Sequence, residues 1–228
     1  VWERADALPA GELWRVHELR RERLVLFARE RLRAQWARQG SRRIASRAAE
    51  DALRQCMVDN RFGDAGMDGI MYCEDLGTQD RLLLGVPIWR EVFRPLYERL
   101  TARAHAHGMK VLMHSCGYNM DLVDDLCEAG VDCLQFDQPA LYDMPALAEK
   151  LRKHGVGLFS PCDIQKVLPT GDRALIERET ERLVKTFRGG FIAKNYPDLH
   201  GIGVEPEWDQ WAYETFVRVG APGLAAQV

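Results

Sequence analysis

Apolar and polar residues follow two different rhythms along the chain of 228 residues. Up to about residue 66 they recur at helical spacing. Leu13, Val16, Leu24, Phe27, Leu32 and Trp36 fall near one stripe, which Gly40-Ser41 interrupts. A second run, RIASRAAEDALRQCMVDNRFGDAG, turns Ala45, Ala49, Ala52, Leu53, Cys56 and Met57 toward one side. Residues 1–66 are therefore expected to form a helical segment without strands. From Met67 onward the rhythm becomes a short apolar run, a loop and an amphipathic helix, repeated. The runs that read as strands are DGIMYCEDL (68–76), KVLMHSC (110–116), DCLQFD (132–137), GLFSPCDI (157–164) and GFIAKN (190–195). Between the first two lies PIWREVFRPLYERLTARAHAHG (87–108), with Pro87 suited to a first helical turn and Gly108 to a stop.

Near-continuous apolar strands separated by helices imply a parallel sheet covered by helices, an α/β fold. Polar or reactive residues recur where these strands end: Glu74 and Asp75, His114 and Cys116, Asp137 and Gln138, Cys162 and Asp163, Asn195 and Tyr196. In parallel α/β folds, and in (β/α)8 barrels above all, that end of the sheet is where sites assemble. Five strands in succession favour a site over coincidence.

The sharpest pair is His114 and Cys116. Side chains two apart on a strand point to the same face, so an imidazole and a thiol can reach one point together. The plainer alternative is a core cysteine beside a hydrogen-bonded histidine, since free cysteine is among the most buried residue types. Glu74 and Asp75 are adjacent, so only one of them can face such a site, and Glu74 is taken as that residue. It would act as an acid–base group, as a fourth metal ligand, or as an orienting hydrogen-bond partner of a metal-bound histidine. His105 and His107 end a long helix, where dipole complementarity accounts for them, and His17 and His154 need no site.

Composition narrows the class. The chain is 46% hydrophobic and 29% charged, with a net charge of −3, values of an ordinary globular protein. No apolar run approaches the roughly 20 residues that span a bilayer, and no secretory signal is visible at the first residues. A cytoplasmic protein with reduced thiols is expected, because Cys56, Cys73, Cys116, Cys127, Cys133 and Cys162 form no regular framework. Residues 1–60 hold 13 Arg and no Lys against 9 acidic residues. Their mixed signs suit a solvated helical face better than a nucleic-acid surface. No GxGxxG or GxxxxGK[ST] pattern supports nucleotide binding.

Several blocks together resemble the uroporphyrinogen decarboxylase superfamily: DGIMYCEDLGTQ, KVLMHSCG, VDCLQFDQP, SPCDIQKVLPTGD and GGFIAKNYPDLHGIGVEPEW. The likeness spans roughly residues 60–216 and is strongest to the branch of zinc-dependent, corrinoid-linked methyltransferases. It implies a TIM-type barrel and zinc held by a His-x-Cys pair plus a later cysteine. His114 and Cys116 match the pair. Where the later cysteine belongs, after GGFIA, this chain has KNYPDLHG, with His200 the nearest competent ligand and Tyr196 a poorer one. The chain shows five strands where a barrel of about 250 residues needs eight. Residues 67–220 are thus expected to be the last five strand–helix units, an incomplete barrel, with 221–228 a tail.

From their places at the strand ends, Glu74 and Asp163 are expected as catalytic carboxylates. Gln79, Gln138, Asn195 and Tyr196 would meet a small-molecule substrate, and His114, Cys116 and His200 would bind zinc. The implied activity is methyl transfer to a thiol, with a corrinoid on a partner protein as donor. A metal-free decarboxylase acting on a tetrapyrrole, and a non-catalytic barrel remnant, remain alternatives. With no initiating methionine and two open sheet edges, the chain is expected to be a piece of a longer protein, or to self-associate.

Overall fold

A computed structural model describes residues 62–220. Most of the expected N-terminal helical segment, with its arginines, and the whole 221–228 tail lie outside these residues. Within them the five expected strands form. They are β1 (Gly69–Glu74), β2 (Lys110–Ser115), β3 (Cys133–Gln135), β4 (Gly157–Ser160) and β5 (Phe191–Ala193). All pair in parallel, in the order β1-β2-β3-β4-β5. An order that never reverses means that successive crossovers of one hand keep their helices on one face of the sheet. That is the wall of a (β/α) barrel and not a doubly wound sheet.

The helices are α1 (Arg94–Ala106), α2 (Val123–Glu128), α3 (Met144–His154), α4 (Arg173–Thr186) and α5 (Pro206–Gly220). Two N-termini carry the side-chain caps expected of aspartate: Asp143 accepts from the Ala146 N–H at 3.1 Å and Asp172 from the Leu175 N–H at 3.2 Å. The expected single helix over 87–108 is instead interrupted. A short turn (Val86–Ile88) and a π-helical turn (Trp89–Phe93) precede α1, and the Arg94 N–H bonds the Trp89 carbonyl five residues back. Pro95 is the physical reason. Its ring crowds the carbonyl four residues earlier and it has no N–H to give, so the ladder widens by one residue before the proline.

Alternation along β2 separates two faces. Val111, Met113 and Ser115 are buried, while Leu112 and His114 are half-exposed. The buried face meets the helices in one core where Met113, Leu134 and Leu158 pack with Leu126, Leu147 and Leu183. Each such leucine, fully removed from water, contributes roughly 1.5–3 kcal/mol. The opposite face is the concave one, and it carries the chemistry.

Candidate functional site

Register decides which residues share that concave face. Cys73 lies opposite His114, His114 opposite Gln135, Gln135 opposite Phe159, and Phe159 opposite Ile192. Two residues further along each strand, on the same face by the period of the pleat, come Asp75, Cys116, Asp137, Pro161 and Lys194. Glu74 lies opposite Ser115 and so belongs to the other face. Its charge is felt there by Tyr97 of α1, whose phenol is pushed well up by burial first and by Glu74 second.

Asp75, His114 and Cys116 are brought together, with one oxygen, one nitrogen and one sulfur all within 4.8 Å of one another. The Cys116 Sγ lies 3.3 Å from His114 Nε2. A tetrahedral zinc holds ligand atoms of these types roughly 3.3–3.7 Å apart, so the arrangement fits that ion with little adjustment. A nitrogen, a sulfur and an oxygen also suit its borderline character. Three protein ligands leave a fourth position open, as in catalytic rather than structural sites.

Two loops are clamped to keep this geometry. Gly117 has φ 80°, and a Cβ there would collide with the carbonyl oxygens of Gly77 and Thr78. At Gly77 an added Cβ would meet the Tyr118 carbonyl oxygen at 2.6 Å. The loops after β1 and β2 therefore touch backbone to backbone. The Tyr118 N–H donates to the Thr78 carbonyl at 2.7 Å, and the Leu76 N–H donates to Ser115 Oγ at 3.0 Å. Gln138 accepts from the Gly117 N–H at 3.0 Å, and the Tyr142 hydroxyl donates to the Gly117 carbonyl at 2.6 Å. Asn119 donates to the Cys116 carbonyl at 3.1 Å.

Behind His114 runs a polar chain. Its Nδ1 meets Gln135 Oε1 in a short hydrogen bond. Gln135 Nε2 donates to Asp137 Oδ1 at 2.5 Å, and Lys194 Nζ donates to the same oxygen at 2.9 Å. Lys194 also sits over two rings, 5.6 Å from the centre of Phe159 and 5.8 Å from that of Tyr196.

The other expected site residues have other surroundings. Asp163 is buried and accepts three backbone N–H bonds, from Ala140, Gln165 and Lys166, at 2.8, 2.9 and 2.6 Å, so one oxygen serves its own turn and the other the 3-10 turn Pro139–Leu141. Gln138 braces the Cys116 loop instead of facing open space, and Asn195 donates to Asp209. Gln79 is exposed in the loop after β1. His200 is exposed in a 3-10 turn (His200–Ile202) and is not one of the three clustered ligand groups. Tyr196 is half-buried at the site, its phenol raised by burial and then by Asp137 and Cys116. Burial pushes the thiols of Cys162 and Cys127 up to about 12 and that of Cys133 to about 11, the behaviour of inert core cysteines.

Sequence reasoning weighed Asp75 and set it aside, and it noted Asp137 without a role. Counting two residues onward from Cys73 and Gln135, which flank His114, reaches Asp75 and Asp137, and counting from Ile192 on β5 reaches Lys194, but only with the register known. A cleft of about 520 Å³ opens beside β5 between α4 and α5, walled by Val184, Phe191 and Phe216 and bordered by Lys194 and Asn195. It contains none of the three ligand-type residues.

The profile of the family described as Uroporphyrinogen decarboxylase (URO-D) matches residues 57–214. The chain belongs to that family. Members of the URO-D family are enzymes, and the concave strand ends of this member are where its ligand-type residues gather. No curated protein sequence matches the chain. Among solved structures, a methyltransferase from Methanosarcina mazei superposes with a TM-score of 0.56 at 14% identity, over 75% of this chain and 48% of that one. This URO-D chain thus shares the fold of that protein and spans about half its length. Among the described residues no helix is long and apolar enough to cross a membrane.

Proposed function

We propose that this URO-D family member is a zinc-dependent methyltransferase with Asp75, His114 and Cys116 as its protein ligands. The observation that carries the reading is the convergence of one oxygen, one nitrogen and one sulfur within 4.8 Å at the C-terminal ends of β1 and β2. The family match and the likeness to a methyltransferase support it. Zinc bound there would supply a positive charge that stabilises the thiolate of an acceptor in the open position. As ligands, the Cys116 thiolate and the Asp75 carboxylate would bring two negative charges that offset the ion. His114 presents Nε2 toward them while its Nδ1 is held by Gln135. The half-buried ring of Tyr196, whose phenol feels the charge of Cys116, would flank the open position on the β5 side. The methyl donor would be a corrinoid carried by a partner protein.

Zinc stoichiometry on the purified chain and on its His114→Ala variant tests this reading. One equivalent in the first and none in the second is expected. A wild-type chain that takes up no zinc in the micromolar range overturns it and favours decarboxylation of a polycarboxylate instead.

A further inference from the structure

We propose that Asp137 and Lys194 are positioning residues, which set the ring tautomer of His114 through the side-chain amide of Gln135. The inference rests on the metal-site reading only for its consequence, since the tautomer belongs to the chain itself.

The logic is one of donors and acceptors. Lys194 can only donate, and it points its ammonium at Asp137 Oδ1 from 2.9 Å. A carboxylate can only accept, so the end of the Gln135 amide that meets Asp137 at 2.5 Å is the NH2 end. The amide is rigid, and its oxygen is thereby turned to His114 Nδ1. An oxygen facing that nitrogen requires a proton on it. Nδ1 then donates, and Nε2 keeps its lone pair on the side where Cys116 Sγ lies 3.3 Å away. Metal-binding histidines commonly have the far nitrogen fixed by a carboxylate or carbonyl. Here the carboxylate acts through an interposed amide, because the gap from His114 Nδ1 to Asp137 Oδ2 is 3.8 Å, too long for a direct hydrogen bond.

Lys194 supplies the lock. Its side chain is only 17% exposed and Asp137's only 7%, so the pair has little water to exchange with. The rings of Phe159 and Tyr196 flank the ammonium and limit where it can go. Four strands take part, with His114 on β2, Gln135 on β3, Phe159 on β4 and Lys194 just beyond β5. A change on the far side of the sheet therefore reaches the imidazole through one polar chain.

The decisive variant is Asp137→Ala, which removes the one acceptor oxygen that Gln135 Nε2 and Lys194 Nζ share. The Gln135 amide is then no longer held, and either its oxygen or its NH2 can meet His114 Nδ1. Nitrogen-15 NMR of the metal-free full chain, at mildly alkaline pH where imidazole is neutral, reads which ring nitrogen carries the proton. Wild type should show the proton on Nδ1, and Asp137→Ala should show both tautomers. Zinc affinity of the variant, measured with the metal alone, should fall by roughly 10–100-fold. Lys194→Met should populate both tautomers, and Lys194→Arg should restore the wild-type one. Loosened packing would broaden the signals without moving the proton between nitrogens. A wild-type proton on Nε2, or an unchanged tautomer in Asp137→Ala, overturns the proposal. A mixed tautomer with unchanged zinc affinity overturns its link to the metal. If wild type binds no zinc the metal reading fails, yet the NMR result still decides whether this pair sets the tautomer.

Discussion

A histidine, an aspartate and a lysine gather at each end of the β2–β3 pair, and the two groups behave differently. At the N-terminal end, His105 Nε2 lies 2.7 Å from Asp132 Oδ2, and Lys110 Nζ lies 2.8 Å from Asp132 Oδ1. His105 is 40% exposed and Lys110 72%, so water screens both contacts. Such pairs are worth about 0–1 kcal/mol. At the C-terminal end the side chains of His114 and Lys194 are each 17% exposed and that of Asp137 is 7%. There the histidine meets the carboxylate through Gln135, and a thiol and a second carboxylate lie on its other side. The same three residue types make a surface ion pair in one place and a candidate metal centre in the other. Burial and an interposed amide separate the two outcomes, because they fix direction where the surface group is free to rearrange.

The largest effect should come from the ligand groups. Cys116→Ser should lose zinc by more than the roughly 10–100-fold typical of removing a ligand's hydrogen-bond partner. Cys127→Ser and Cys133→Ser should leave the metal content unchanged. In the same assay Asp75→Asn should weaken binding while Glu74→Gln and His200→Ala do not. Equal losses at Glu74 and Asp75 would mean that strand parity does not select the third ligand.

A smaller effect is expected at the loop that places Cys116. Gly117→Ala puts a side chain on a backbone at φ 80° and against the carbonyl oxygens of Gly77 and Thr78. The cost should be about 1–3 kcal/mol, read from urea denaturation, with a parallel loss of zinc affinity. A variant as stable as wild type would show that the two loops are not pressed together.

The smallest effect belongs to the surface group. Asp132 is held below the ordinary carboxylate value: burial pushes it up, but Lys110, the Val111 N–H and His105 outweigh that. A carboxyl with a lowered folded value stabilises the chain above its unfolded value of 3.8 and loses that contribution as the pH falls through the folded value. Asp132→Asn should therefore cost about 1 kcal/mol or less near neutrality. The difference from wild type should vanish in acid, and zinc binding should not change. Melting temperatures at both pH values would measure this, and a cost that persists in acid would assign the residue a packing role instead.

Much of this was legible in the residues themselves. The change of rhythm at Met67 placed all five strands, because apolar runs that must be buried on both faces leave a short, unbroken signature. The His-x-Cys spacing singled out two of the three clustered ligand groups for a similarly local reason: residues two apart share a face of any strand. The π-helical turn before Pro95 was hidden only because helical periodicity alone does not report how a proline is accommodated.

The third ligand group and the polar chain behind His114 were of another kind. Glu74 and Asp75 are equivalent in sequence, and what separates them is that Cys73, not Glu74, lies opposite His114. Lys194 and His114 are 80 residues apart and are linked through Gln135 and Asp137 only because the strands follow one another in an unreversed order. Local spacing determined which side chains could act together on one strand. Which residues of different strands meet depends on register and strand order, and these are set by non-local pairing that no local run of sequence encodes.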